Sequence, residues 1–327
     1  MSKARKALLC SATISVLLAI SAIAQNAPVT NPTPGTSRVT SAPVGKTAGQ
    51  SRRTGADPVD DRVELREYYF ADTNEWLPYA VFVSSKVTED KKAPLVLALH
   101  GFSGNHGTFM RTGCVDEAEK NGYILVGAMG YNPSSPFGAT MGARRGGRGP
   151  GAAPGAARGA APAAAPVRGG PGGGRGMMGG RGPTVGGTKE TDPAKTSALS
   201  EKDAMNVLEM ARKEFNVDEN RIYLMGHSMG GMGAMYLGEK YAPMWAAVAC
   251  LAGFGSPDPN GKLKDTPLYF TAGSDDALGS SGRSIAERLR AEGMDVEWKE
   301  MPGLDHGGII AGAMPDVFKF FNEHVKE

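Results

Sequence analysis

Five apolar runs constrain this chain more than any other feature: "PLVLALHG" (94–101), "YILVGAMG" (123–130), "RIYLMGHS" (221–228), "AAVACLAG" (246–253) and "PLYFTAGS" (267–274). Each is too continuously apolar for a strand with one wet face, so each reads as a strand buried on both sides, the mark of a parallel sheet covered by helices. Segments with helical periodicity separate them, at Thr112 to Asn121, Ser200 to Phe215, Met229 to Tyr241 and Ser284 to Glu292. A further strand, "VEWKEM" (296–301), and a final helix from about Ile309 to Val325 extend the alternation. Ahead of it, Val63 to Phe70 and Leu77 to Val83 flank the turn-rich "ADTNEW" and read as an antiparallel hairpin. The expectation is a doubly wound, mostly parallel α/β sheet of about eight strands that opens with a hairpin. Ligands in such sheets bind where loops leave the strand C-termini.

The remainder of the 327 residues falls outside that pattern. Lys3, Arg5 and Lys6 precede an apolar run from Ala7 to Ala24 that ends Ala22-Ile23-Ala24. This reads as a signal peptide, residues 1–24, cleaved before Gln25, and predicts export to the periplasm or beyond. An uncleaved anchor is the rival reading, since the run approaches spanning length; no later segment does. Residues 25–61, rich in Pro, Thr, Ser and Gly, read as a disordered linker. The globular domain, 62–327, is interrupted by a Gly/Ala/Pro/Arg-rich insertion, 138–188, also read as disordered. The insertion carries Arg144, Arg145, Arg148, Arg158, Arg168, Arg175 and Arg181 and no acid, so the formal charge of +2 conceals an acidic folded body. A uniformly basic nucleic-acid surface is thereby excluded. Cys114 and Cys250 would be an exported pair able to form a disulfide, but they fall in a predicted helix and a buried strand, where free thiols act as small hydrophobes, and free thiols are the expectation.

The strongest chemical signal is "GHSMGG" (226–231), in which Gly226-x-Ser228-x-Gly230 joins a predicted strand to a Gly- and Ala-rich helix. A turn that sharp presents the serine hydroxyl outward and tolerates only residues without bulk beside it, which makes Ser228 the candidate nucleophile. A serine needs a base, and the base needs an orienting acid. Of the five histidines, His306 alone lies downstream, follows a strand and has small neighbours, in "PGLDHGG". The acid falls to Asp275 or Asp276, adjacent after "PLYFTAG". The Met229 N–H, at the start of the following helix, is free to meet a developing oxyanion.

At these residues the chain resembles the α/β-hydrolase family. The resemblance implies the order nucleophile, acid, base, and its Gly-x-x-Asp pattern selects Asp276. It also implies that "HGFSGN" (100–105) is the second oxyanion loop, with Phe102 giving an N–H and His100 holding the loop, and that His227 packs beneath the elbow. Over roughly residues 63–327 apart from the insertion, the chain more closely resembles secreted esterases of the polyhydroxybutyrate depolymerase, feruloyl esterase and predicted peptidase group. The stretch "DENRIYLMGHSMGGMGAMYLGEKYAPMWAAVACLAG" (218–253) carries most of that likeness. The short "FGSPDPNGKLKDT" leaves no room for a large helical cap, and the group has no regular counterpart to the insertion, which puts substrate contacts around Tyr131 in question.

These features predict a secreted serine hydrolase that cleaves small-molecule or polymeric carboxylic esters through an acyl-enzyme. A peptidase of the same fold is the alternative within the class. An envelope-polymer binding protein, adhering weakly to anionic polymers through its arginines, is the alternative outside it. Specific nucleic-acid binding is disfavoured, because the insertion lacks the interleaved Tyr or Phe of single-strand binders. No cofactor is expected, and no metal, since His, Cys and Asp do not fall at ligand spacing.

Overall fold

A computed structural model describes residues 32–41, 59–139 and 186–327. The chain divides into Met1–Pro34 and a compact unit, Gly35–Glu327. The expected signal peptide, most of the expected linker and nearly all of the insertion lie outside the described residues.

The five apolar runs form β4 (Ala93–Leu99), β5 (Ile124–Ala128), β6 (Val217–His227), β7 (Ala247–Leu251) and β8 (Leu268–Gly273), which with β9 (Val296–Met301) are mutually parallel. Their side chains alternate between two cores, as a pleated strand requires. Leu95, Leu97 and Leu99 enter one core while Val96 and Ala98 enter the other. The first core is roofed by α2 (Pro193–Glu214), α3 (Met229–Lys240) and α4 (Gly279–Ala291), through residues such as Val207, Leu237 and Leu289. The second is closed by α1 (Thr112–Asn121), α5 (Ile309–Gly312) and α6 (Met314–Glu323), through Val115, Ile310 and Phe318. The hairpin is present as β2 (Glu64–Phe70) and β3 (Glu75–Val83), with β3 antiparallel to β5. This is the α/β-hydrolase fold, and residues 252–267 between β7 and β8 form a loop without a helical cap.

Three expectations change in detail. The sheet has nine strands, in the order β1-β2-β3-β5-β4-β6-β7-β8-β9, because β1 (Ser37–Ser41) pairs antiparallel with β2. That strand lies inside the segment read as linker. It is an edge strand held by its backbone and by Arg38, whose guanidinium sits 4.0 Å over Trp76, so it needs no apolar pattern. Helix α2 begins seven residues before Ser200, where Asp192 caps it by accepting from the Ala194 and Lys195 N–H groups at 3.0 Å and Pro193 fills the first position. The final helix is split into α5 and α6 around Ala313, with Pro315 in the first turn of α6.

Cys114 and Cys250 are free and lie in opposite cores. None of the described helices is long and apolar enough to cross a membrane.

One buried carboxylate ties the hairpin to the loop after β5. Asp203 of α2 accepts from the Tyr68 hydroxyl (2.8 Å) and the Gly130 N–H (2.6 Å), and burial pushes its pKa up to about 6. A carboxyl with a raised native pKa stabilises the fold most while protonated, and that contribution is lost as pH rises through the native value. The urea-unfolding advantage of wild type over Asp203→Asn should therefore shrink between pH 4 and pH 6.5, by about 3 kcal/mol at most. A pH-independent difference would contradict this placement of the charge.

Candidate active site

Strand β6 ends at His227 and helix α3 starts at Met229, leaving Ser228 alone in the turn with φ 55° and ψ −113°. Non-glycine residues avoid that region, at a strain of roughly 1–3 kcal/mol, so the surroundings must enforce it. They do so by close backbone approach. A Cβ at Gly226 would lie 2.0 Å from the Gly230 carbonyl oxygen, and one at Gly230 would lie 2.1 Å from the Leu99 carbonyl oxygen. The Ser228 N–H donates to the Leu251 carbonyl at 2.9 Å, fastening the turn to β7.

His306 and Asp276 arrive from the loops after β9 and β8. His306 Nε2 lies 2.9 Å from Ser228 Oγ, and His306 Nδ1 lies 2.8 Å from Asp276 Oδ2. The second carboxylate oxygen accepts the Leu278 N–H at 2.9 Å, so both oxygens are engaged. The Asp276 side chain is 2% exposed and the His306 ring 40%, a buried acid behind a base open to an incoming molecule. Asp275 faces outward, its Oδ1 accepting from the Ser274 hydroxyl and its N–H donating to the Leu304 carbonyl. Of the two adjacent carboxylates, only Asp276 is brought to the ring.

The loop after β4 runs beside the serine, since a Cβ at Gly101 would lie 3.3 Å from Ser228 Cβ. Phe102 follows immediately, and neither its N–H nor that of Met229 has a protein acceptor among the described residues. Ser103 donates its N–H to the Pro133 carbonyl at 2.8 Å, and His100 spans the same gap, with its ring nitrogens 2.7 Å from the Gly101 and Met129 carbonyls. Burial lowers the pKa of His100, as it does for His106 and His227, both to about 4. His324 is remote, 3.9 Å from Asp295 near the chain end.

Several contributors were not legible as such in the sequence. His227 does more than pack beneath the elbow: its ring lies 4.7 Å from that of His306, and its Nε2 is 2.7 Å from the His306 carbonyl. Asp203 sits on the apolar stripe of α2 with Val207 and Ala211, a position where an unexplained acid is itself a signal. Tyr131 is buried, and its hydroxyl donates to Glu75 and accepts from the Glu190 N–H (2.9 Å), so it fastens the roots of the insertion and is closed to a ligand. Among the described residues, three of the five exposed large apolar side chains lie in the loops that follow β4, β7 and β8, the edge that carries the serine: Phe102, Phe254 and Leu278, at 60%, 42% and 38% exposure.

The arrangement is an α/β-hydrolase fold with a serine at its elbow. The sequence model of a family described as "Putative esterase" matches residues 186–300, a span that holds Ser228 and Asp276 and stops before His306. Among solved structures, an S-formylglutathione hydrolase from Agrobacterium tumefaciens is similar at 17% identity and TM-score 0.53, covering 80% of this chain and 95% of that one. A ferulic acid esterase from Anaeromyces mucronatus is similar at 17% identity and TM-score 0.52, covering 79% and 90%. A thermostable esterase is 20% identical with TM-score 0.50, covering 82% of this chain and 64% of its own length, so the present chain spans less than two thirds of that protein. No curated protein matches the chain. At these identities the structural likeness is one of fold alone; the family match is what supports a carboxylic ester hydrolase.

Because the elbow depends on backbone contact, Gly230→Ala should lower urea-unfolding stability by at least about 1–3 kcal/mol. A variant as stable as wild type would show that the turn is not held by that contact.

Proposed function

We propose that this protein is an exported serine hydrolase that cleaves carboxylic esters through an acyl-enzyme. The observation that carries the reading is His306, hydrogen-bonded at once to the Ser228 hydroxyl and the buried Asp276. Ser228 Oγ attacks the ester carbonyl carbon as His306 Nε2 takes its proton, and Asp276 holds the opposite N–H and stabilises the imidazolium. The carbonyl oxygen, now negative, is received by the Phe102 and Met229 N–H groups. Collapse expels the alcohol, which leaves with the proton from His306, and the acyl group stays on Ser228. Water, deprotonated by the same ring, then releases the carboxylic acid and restores the serine. Export rests on the basic and apolar N-terminal residues 1–24.

The exposed Phe102, Phe254 and Leu278, on the loops at the edge that carries Ser228, favour esters with an apolar acyl or alcohol part, since exposed apolar side chains gain by leaving water. No observation favours the peptidase reading.

Ser228→Ala should reduce kcat on 4-nitrophenyl acetate by at least about a thousandfold. Asp276→Asn should fall by a comparable factor through the wrong imidazole tautomer, while Asp275→Asn stays within about twofold. Retained hydrolysis in Ser228→Ala, or a larger loss in Asp275→Asn than in Asp276→Asn, would overturn the assignment. Phe254→Ser should raise KM for 4-nitrophenyl hexanoate more than for the acetate, as expected when buried methylenes add binding at about 0.8 kcal/mol each. Equal changes for both esters would remove Phe254 from the binding surface.

A further inference from the structure

His306 sits in the turn that follows β9. "PGLDHGG" runs from Pro302 to Gly308, with Gly303 at φ 70° and its N–H donating to the Ser274 hydroxyl at 2.8 Å. Asp305 accepts the Gly307 and Gly308 N–H groups, and the Leu304 carbonyl accepts the Asp275 N–H at 3.1 Å. These contacts fix the flanks. At His306 itself the backbone carbonyl has one donor among the described residues, Nε2 of His227 at 2.7 Å.

We propose that His227 is a positioning residue, whose Nε2–H, donated to the His306 carbonyl, sets the catalytic ring between Ser228 and Asp276. The inference rests on the hydrolase reading above. His227 is suited to the task because it is the last residue of β6, adjacent to the nucleophile, so its ring inherits the register of the elbow. The ring is buried and stays neutral at working pH, since burial draws its pKa to about 4, and a neutral imidazole has one N–H to donate. The carbonyl can only accept, so that proton sits on Nε2.

The other side of the ring meets the oxyanion loop. A Cβ at Gly101 would come within 2.8 Å of His227 Nδ1, so the imidazole fills the space a side chain there would take. One ring is thus wedged between the turn that carries the base and the loop that carries Phe102. Displacing it would shift base and donor together relative to Ser228, and small misplacements of reacting groups are expensive in rate.

Three variants assayed with 4-nitrophenyl acetate test this. His227→Gln places an amide N–H near the position of Nε2; His227→Asn is polar but too short to reach the carbonyl; His227→Phe keeps the ring and removes the donor. The Asn and Phe variants should lose kcat by about tenfold or more with KM within about twofold, and the Gln variant should retain kcat within about threefold. Wild-type kcat in Asn or Phe would overturn the proposal, as would a folded Gln variant no faster than Asn. Should Phe fail to fold, the Gln and Asn pair alone decides. Ser228→Ala assayed alongside separates the two claims: if it retains turnover, the hydrolase reading falls, whereas its inactivity with unaffected Asn and Phe variants removes only the role of His227.

Discussion

The site depends on the contact between the first turn of α3 and the end of β4. With no side chain at Gly230, that turn can press against the Leu99 carbonyl, and with none at Gly226 the strand can bend under it. The approach forces Ser228 into a positive φ. It also sets the Met229 N–H, at the head of the helix, and the 101–102 backbone on either side of the hydroxyl. Everything the proposed chemistry needs from the nucleophile side follows from two missing Cβ atoms and the parallel register of β4 with β6.

The acid and base come from farther along the chain, and the sheet brings them to the same edge because β8 and β9 are parallel to β6. Strand position alone delivers each loop only approximately. Local contacts complete the geometry: the Leu278 N–H on Asp276, the Asp275 N–H on the Leu304 carbonyl, and the His227 ring on the carbonyl of His306. A second set of ties works from behind. Asp203 holds Gly130, the adjacent Met129 carbonyl meets His100, and His100 precedes the Gly101–Phe102 loop. The roots of the arginine-rich insertion are fastened to this same framework through Tyr131 and Glu75, and the Pro133 carbonyl accepts from Ser103 beside Phe102.

The core strands and the serine were legible in the sequence for one physical reason. A strand buried on both faces must be apolar at every position, and an elbow must be glycine where backbones touch, so both leave marks that no surface segment imitates. Edge strand β1 left none, because "SRVTS" pairs through its backbone and its exposed side chains are free to be polar. The start of α2 was hidden for a similar reason: its first turn faces solvent, and the helix begins seven residues before Ser200, where the periodic pattern becomes evident. Asp275 and Asp276 could not be separated by composition, since what distinguishes them is which way a turn points each carboxylate. The contact of His227 with the His306 carbonyl joins residues 79 apart in sequence and is a matter of three-dimensional register alone.

The central claim is that Ser228 is a nucleophile activated by His306. Its most direct test is covalent: the protein is treated with a dialkyl 4-nitrophenyl phosphate, digested, and the phosphorylated peptide identified by mass spectrometry. A single phosphoryl adduct on Ser228, formed by wild type and lost in His306→Ala, is the result the geometry requires. An adduct on another residue, or labelling of Ser228 that proceeds equally without His306, would contradict it.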